Sequence, residues 1–203
     1  MPARENPAVE FGNAPRRLAG RKKKPLPNSL RGKAKKTYLI LHNIRSAYNV
    51  GAIFRTADAV GISKIYLSGY TPLPLDRFGR FRKDIAKSAL GAQMSVPWEE
   101  VKNTAKLFKK LKREKVFIIG LEQDTRARDY KSARPRKKTA LVLGNEVLGL
   151  SKKLRDVCDE LIEIPMRGFM VRQAHHPRNA KRGKESLNVS VAAGIALFRL
   201  FDR

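Results

Sequence analysis

A parallel β-sheet covered by helices on both faces, the α/β class, is the fold the sequence predicts, and three observations predict it. Short apolar runs rich in strand formers recur, as in TYLILH (37–42), VFIIGL (116–121) and TALVLG (139–144). These runs are continuously apolar and do not alternate, which marks strands buried on both faces. Segments with helical spacing separate them, and strand–helix alternation supplies the crossovers that a parallel sheet needs.

The elements follow in order. TYLILH opens the fold as a buried strand. AYNVGAIFRTADAVG (47–61) places Val50, Ile53, Phe54, Ala57 and Val60 at helical spacing and stops at Gly61. SKIYLSG (63–69) is the second strand. A polar loop with Pro72, Pro74 and Gly79 leads into FRKDIAKSALG (81–91), a short helix ended by Gly91. VPWEEVKNTAKLFKKLKREK (96–115) reads as one amphipathic helix after Pro97. VFIIGL is a strand, and DTRARDYKSARPRKK (124–138) a basic loop or frayed helix. TALVLG is a strand, LSKKLRDVCD (150–159) a helix, ELIEIP (160–165) a strand, and SLNVSVAAGIALFRLF (186–201) the last helix. No internal repeat is visible.

Residues 1–36 form a different region, with eleven Lys or Arg, two Glu and five Pro. Such a composition cannot bury enough apolar surface to fold alone, so it reads as a basic, disordered tail ahead of a domain at 37–203. The whole chain of 203 residues carries 44 Lys and Arg against 18 acids, a net charge of +26. That excess points to a polyanion, and nucleic acid is the default one. No apolar run approaches the roughly 20 residues that cross a bilayer, so no membrane partner is expected. The single cysteine, Cys158, reads as a small buried helix residue, and it fits a cytoplasmic location.

Three strand ends carry polar residues and glycines, and ligands of open α/β sheets bind beyond such ends. The first is LHNIRSAYNVGAIFR, with Asn43, Asn49 and Arg55. Asn49 near a helix start could be a cap. A helix that buries its apolar face would not carry Arg55 there without a partner, so Arg55 belongs either to an ion pair or to an active site. The second is LVLGNEVLGLS, where a strand delivers Gly144, Asn145 and Glu146, with Gly149 just before a helix. Glycines let a ligand approach the backbone closely. The third is IEIPM followed by SLNVSV, in which Ser186 and Asn188 open a helix. Ser186 alone would be a good N-cap. Neither the dinucleotide-binding glycine fingerprint nor the P-loop pattern is present.

Taken together and in order, LHNIRSAYNVGAIFR, LGNEVLGLS and IPM…SLNVSVAAGIALF resemble the three motifs of the SpoU/TrmH family of the SPOUT methyltransferases. The resemblance covers residues 37–201. It implies a SPOUT-type sheet closed by a C-terminal trefoil knot, built from the second and third motifs. It also implies S-adenosyl-L-methionine as cofactor, a homodimer, and methyl transfer to a ribose 2′-hydroxyl in tRNA or rRNA. Under it Gly144, Glu146, Ile164, Met166, Leu187 and Asn188 shape the cofactor pocket. Arg55 is catalytic, Asn49 positions it, and Ser186 stands nearby. Methyl transfer needs an in-line nucleophile held close, so positioning supplies much of the rate. An arginine stays a cation at neutral pH. The role favoured for Arg55 is therefore an electrostatic clamp on a phosphate and a developing oxyanion, with general base as the alternative. TPLPLDRFGRFRKDIAKSALGAQMSVPW (71–98) also resembles the family, and it brings Arg77, Arg80, Arg82 and Lys83 toward RNA. In the tail, Arg21, Lys22, Lys23 and Lys24 are candidate phosphate contacts, and binding through them would weaken with salt.

The third motif departs from the pattern. Fifteen extra residues, Phe169 to Gly183, split it between its strand and its helix; the dipeptide Arg-Gly stands just before them as Arg167-Gly168 and closes them as Arg182-Gly183. Without them the text closes up as IPMRGKESLNV. The insertion is a neutral loop, an extension of the basic RNA face, or damage to the pocket beside it. His175-His176 is not expected to bind metal, because adjacent histidines point apart and no acid or cysteine joins them. The absence of a separate RNA-binding domain favours tRNA over rRNA. A knotted RNA-binding or assembly protein without catalysis is the competing reading, and a basic ribosomal-type structural protein is a third.

Overall fold

The computed structural model describes residues 35–166 and 186–202; residues 1–34 of the tail and the insertion lie outside them, and Lys36, expected in the tail, opens the first strand. Among the described residues seven strands form one sheet: β1 (Lys36–His42), β2 (Lys64–Ser68), β3 (Trp98–Val101), β4 (Phe117–Leu121), β5 (Arg128–Asp129), β6 (Lys138–Leu143) and β7 (Glu160–Glu163). Their spatial order is β3-β2-β1-β6-β4-β7-β5, and every pairing is parallel. Among the described residues six helices connect and cover them: α1 (Ala47–Val60), α2 (Lys83–Ala89), α3 (Ala92–Ser95), α4 (Thr104–Arg113), α5 (Lys152–Val157) and α6 (Val189–Phe201). Because all strands run the same way, every loop that follows a strand opens on one edge of the sheet.

The continuous apolar runs have the expected cause. Leu39 and Leu41 of β1, Ile65 and Leu67 of β2, Ile119 of β4, and Leu141 and Leu143 of β6 face one core. Their neighbours Ile40, Tyr66, Ile118, Ala140 and Val142 face the other. Helices α1, α2 and α6 cover the first face, and Leu107, Phe108 and Leu111 of α4 the second. Helix α1 contributes Val50, Ile53, Phe54 and Ala57, all fully buried. Each of the three larger side chains stabilises the fold by about 1.5–3 kcal/mol. Ser46 caps the start of α1 and Gly61 its end, in the left-handed conformation. Helix α1 crosses α2 at Gly51, where a β-carbon would stand 2.4 Å from the Ile85 carbonyl oxygen.

The helix expected over 96–115 is shorter than its pattern. Trp98–Val101 instead forms β3 beside Ile65–Ser68 of β2. Trp98 and Val101 are both buried there, and Glu99 pairs with Lys64 at 2.8 Å. The helix starts only after Asn103, whose side chain accepts from the Lys106 N–H at 2.9 Å. Two further differences are small. The basic segment after β4 holds a two-residue edge strand, β5. Cys158 ends α5 as its C-cap; its Sγ donates to the Leu154 carbonyl at 3.2 Å, and burial pushes the thiol up to about 12.

Candidate active site at the ends of β4, β6 and β7

The loops that follow β4, β6 and β7, together with the start of α6, enclose an open cleft. Its walls are Leu121, Leu143, Ile164, Met166, Leu187 and Val189, and it also takes in Glu122, Gly144, Glu146, Glu163 and Ser186. Its space, open mouth included, is ≈ 710 Å³, within the ordinary range for a small-molecule site.

The floor is made by backbone packed on backbone. After β6 the chain turns back so tightly that Asn145 bridges Gly149, whose N–H donates to the Asn145 carbonyl at 2.9 Å. A β-carbon on Gly144 would lie 2.7 Å from both the Gly149 carbonyl carbon and the Leu150 nitrogen. Gly149 itself has φ of 65°, and a β-carbon there would meet a Glu122 carboxylate oxygen at 2.2 Å. Glu122 accepts from the Gln123 N–H at 3.1 Å and from the Leu150 N–H, so one carboxylate ties the β4 loop to the β6 loop. Asn145 is buried and fully engaged. Its Oδ1 accepts from the Val147 and Leu148 N–H groups at 2.8 and 2.7 Å. Its Nδ2 donates to the Asn43 carbonyl at 3.1 Å and the Tyr70 hydroxyl at 2.7 Å.

The three motifs meet at the rim. Asn49 Nδ2 donates to Glu146 Oε1 at 3.2 Å, and the Arg45 N–H donates to Glu146 Oε2 at 3.2 Å. Asn188 Nδ2 donates to Asn49 Oδ1 at 3.2 Å. Asn188 also caps α6, accepting from the Ser190 N–H at 2.9 Å. A single chain of hydrogen bonds thus joins residues 97 and 139 positions apart in sequence.

Of the residues expected around the cofactor, Gly144, Glu146, Ile164, Met166 and Leu187 line the cleft. Asn188 does not; its side chain turns to Asn49 and to its own helix. Ser186 lines the cleft and is not the cap, because the cap is Asn188, two residues later. Arg55 stands apart, exposed on α1 beside Thr56, Lys87, Ser88 and Phe198, and makes no ion pair among the described residues. The ion-pair alternative for it therefore has no partner there.

Arg77, Arg80, Arg82 and Lys83 all lie on or just after the β2–α2 loop, with Arg77, Arg80 and Lys83 exposed. Arg82 is partly spent on Asp84 through two hydrogen bonds, whose guanidinium holds that carboxyl below its ordinary value. Arg21, Lys22, Lys23 and Lys24 lie outside the described residues. Sequence reasoning missed Glu122 as a tie between loops and Asn145 as their hub. The signal for Asn145 was its place between two glycine-bearing turns; nothing in the sequence marked Glu122.

Comparison with known proteins bears on the family and the fold. The chain matches the model of the SpoU rRNA Methylase family over residues 36–171. A 23S rRNA (guanosine-2′-O-)-methyltransferase of Salmonella typhi, RlmB, is 36% identical over 160 residues, or 79% of this chain and 57% of that protein. The chain thus spans little more than half the length of the curated relatives it matches. The AdoMet-bound rRNA methyltransferase of Sinorhizobium meliloti superposes with a TM-score of 0.65 at 30% identity, over 81% of this chain and 55% of that one. The TrmH/SpoU tRNA modifying enzyme of A. aeolicus gives 0.65 at 27%, over 81% and 73%. With the family model spanning the sheet, α1 and the glycine-bearing strand ends, this chain belongs to the SpoU rRNA Methylase family.

Proposed function

We propose that the chain is an S-adenosyl-L-methionine-dependent RNA methyltransferase acting on a ribose 2′-hydroxyl, with ribosomal RNA as substrate. The observation that carries the reading is the hydrogen-bonded chain Asn188–Asn49–Glu146, which unites three distant motifs at the mouth of one cleft. The preference for tRNA drawn from the short tail finds no support among the relatives, whose names are mostly those of 23S rRNA enzymes. Ribosomal RNA replaces it here.

The residues of the cleft suit the cofactor. It has an apolar wall for a flat ring, and carboxylates of Glu122, Glu146 and Glu163 that favour a cationic ligand. When bound, S-adenosyl-L-methionine supplies an electrophilic methyl on a sulfonium. Gly144, Ile164, Met166 and Leu187 would hold it through backbone and apolar contact, with Glu146 at the rim. Asn188 and Asn49 act as positioning residues, since each fixes the next in the chain. Ser186 would face the ribose side. Arg55 lies outside the cleft with its charge uncommitted among the described residues; a free cation there would clamp the phosphate beside the target ribose, and would reach the developing oxyanion where the bound RNA or a second copy of the chain brings the reacting ribose to it.

The same reading includes a trefoil knot formed by the second and third motifs, a homodimer, and a cytoplasmic location. Among the described residues no helix is long and apolar enough to cross a membrane. Arg77, Arg80, Lys83 and the tail residues Arg21 to Lys24 would meet RNA phosphates, with Arg82 contributing less because of Asp84.

The test is transfer of labelled methyl from S-adenosyl-L-methionine to unmodified rRNA and tRNA fragments. Arg55→Ala is expected to lower the rate by about 10²-fold or more, on the scale of a lost electrostatic contact, with cofactor and RNA binding kept. Wild-type rates in that variant would remove Arg55 from the chemistry. A wild-type chain that binds RNA and transfers nothing would leave an assembly protein. Running a chain without Phe169 to Gly183 alongside decides the insertion: equal rates mark a neutral loop, and a gain on deletion marks damage to the site.

A further inference from the structure

The loop from β2 to α2 carries a feature that the chemistry above does not use. Leu75 and Phe81 form an antiparallel bridge, which closes a five-residue tip, Asp76 to Arg80. Asp76 organises it. Its Oδ1 accepts from the Phe78 and Arg80 N–H groups at 2.8 and 3.0 Å, and its N–H donates to the Arg80 carbonyl at 2.8 Å. Its Oδ2 takes the Arg80 Nε at 3.0 Å, and these bonds hold the carboxyl below its ordinary value. Gly79 turns the tip with φ of 77°. The backbone is therefore fixed by its own contacts.

What the tip displays is an aromatic ring among cations. Phe78 is 65% exposed, more than any other aromatic side chain among the described residues. The Arg77 guanidinium lies 4.7 Å from its ring centroid and that of Arg80 5.0 Å. Arg77 makes no ion pair among the described residues, so its charge is available. A large apolar ring held in water on a braced tip buries little of its own surface and adds little to stability. The same ring, joined to two planar cations, matches the needs of an unpaired nucleotide: a π-face for the base and positive charge for the flanking phosphates. The tip also stands on the correct edge of the sheet. Near its start the same loop carries Tyr70, whose hydroxyl accepts from Asn145, the hub of the cleft floor.

We propose that Phe78, with Arg77 and Arg80, is a stacking platform for an unpaired base of the RNA substrate, carried on the loop whose Tyr70 touches the cleft floor. The proposal rests on RNA being the substrate, and it adds that the bound region is single-stranded or looped, because a base stacked in a duplex offers no free face.

The experiment uses the full chain and a labelled unstructured RNA oligomer, with a duplex of equal length as control, followed by fluorescence anisotropy across a salt series. Phe78→Leu keeps an apolar side chain at an exposed position, so folding is undisturbed. It is expected to weaken single-strand binding roughly 5- to 150-fold, the range carried by one stacked base, with the salt slope and duplex binding unchanged. Phe78→Trp should keep the affinity, and its emission should be quenched by RNA, since the native Trp98 is buried. Unchanged single-strand affinity in Phe78→Leu overturns the proposal, as does an equal loss for both RNAs or a change in oligomeric state, which would make the ring a contact between copies. Methyl transfer measured on the same samples separates the two readings. Wild-type transfer with Phe78→Leu unaffected removes the platform alone, and Phe78-dependent binding without any transfer removes the enzyme reading alone.

Discussion

The cleft floor and the tip of the β2–α2 loop both follow strands of one parallel sheet, and they are built in opposite ways. The floor is backbone against backbone: Gly144 touches Gly149 and Leu150, and the charges there, Glu122 and Glu146, serve to accept N–H groups from neighbouring loops. The tip is side chain against side chain, with Asp76 bracing a display of Arg77, Phe78 and Arg80. A floor of this kind tolerates almost no substitution, and its charges are fixed by the same hydrogen bonds that hold its loops together. A tip of this kind tolerates much in its fold and concentrates its chemistry in three replaceable side chains. The difference suits a rigid pocket for one small molecule beside an adaptable surface for a polymer.

The sharpest way to break that contrast is to add one methyl group to the floor. Gly144→Ala puts a carbon about 2.7 Å from two backbone atoms of the returning loop, and neither can swing aside as a side chain would. The loop must move, taking Asn145 and Glu146 with it. We expect a destabilisation of about 1–3 kcal/mol, typical of overpacking, and loss of calorimetrically detectable cofactor binding. A variant that binds cofactor normally would show that the turn is far softer than its contacts suggest.

The corresponding cut at the tip should behave differently. Asp76→Ala removes the carboxylate that holds Phe78 and Arg80 in place. Its position is on an exposed loop, so the melting temperature should barely change, and cofactor binding should be intact. RNA affinity should fall several-fold, since the platform must then be ordered at the moment of binding. If Asp76→Ala instead abolishes cofactor binding, the two regions are one structural unit and the contrast fails.

These contrasts also explain what the sequence revealed. The buried strands were legible because both sheet faces are covered, which leaves uninterrupted runs such as Leu39 to Leu41. Strand β3 was not, because WEEV is short, lies at the sheet edge, and shows only Trp98 and Val101 as buried positions before a strongly amphipathic helix. Within the site, the glycine-bearing turn was legible as GNEVLG, and five of the six residues expected around the cofactor do line the cleft. Asn188 was displaced by its own capping role, which consumes its side chain. Glu122 was invisible because its value comes from a Leu150 N–H 28 residues away, and no local pattern encodes that meeting. Phe78 was passed over among arginines, because its exposure and the stacking around it exist only once Asp76 has folded the tip.

The smallest expected effect lies at the root between the two regions. His42 ends β1, and its Nδ1 meets Ser68 Oγ at the end of β2, at 2.9 Å. Ser68 Oγ donates to the Leu41 carbonyl, so it is left to accept from the imidazole. Burial disfavours the charged ring and lowers its pKa from the ordinary value of 6.5. The sign follows from linkage. In the interval between the lowered folded value and 6.5, the unfolded chain binds more protons than the folded one, so stability rises with pH there. The contribution is complete above the unfolded value and is lost as pH falls from 6.5 through the folded value. Denaturant midpoints taken between about pH 7.5 and 5, where histidine is the side chain expected to titrate, should decline for the wild type. His42→Gln keeps a donor for Ser68 and removes the titration, so its midpoints should stay level over the same interval. An identical decline in that variant would assign the pH dependence to other groups. Cofactor binding should survive the substitution in either case, because His42 does not line the cleft.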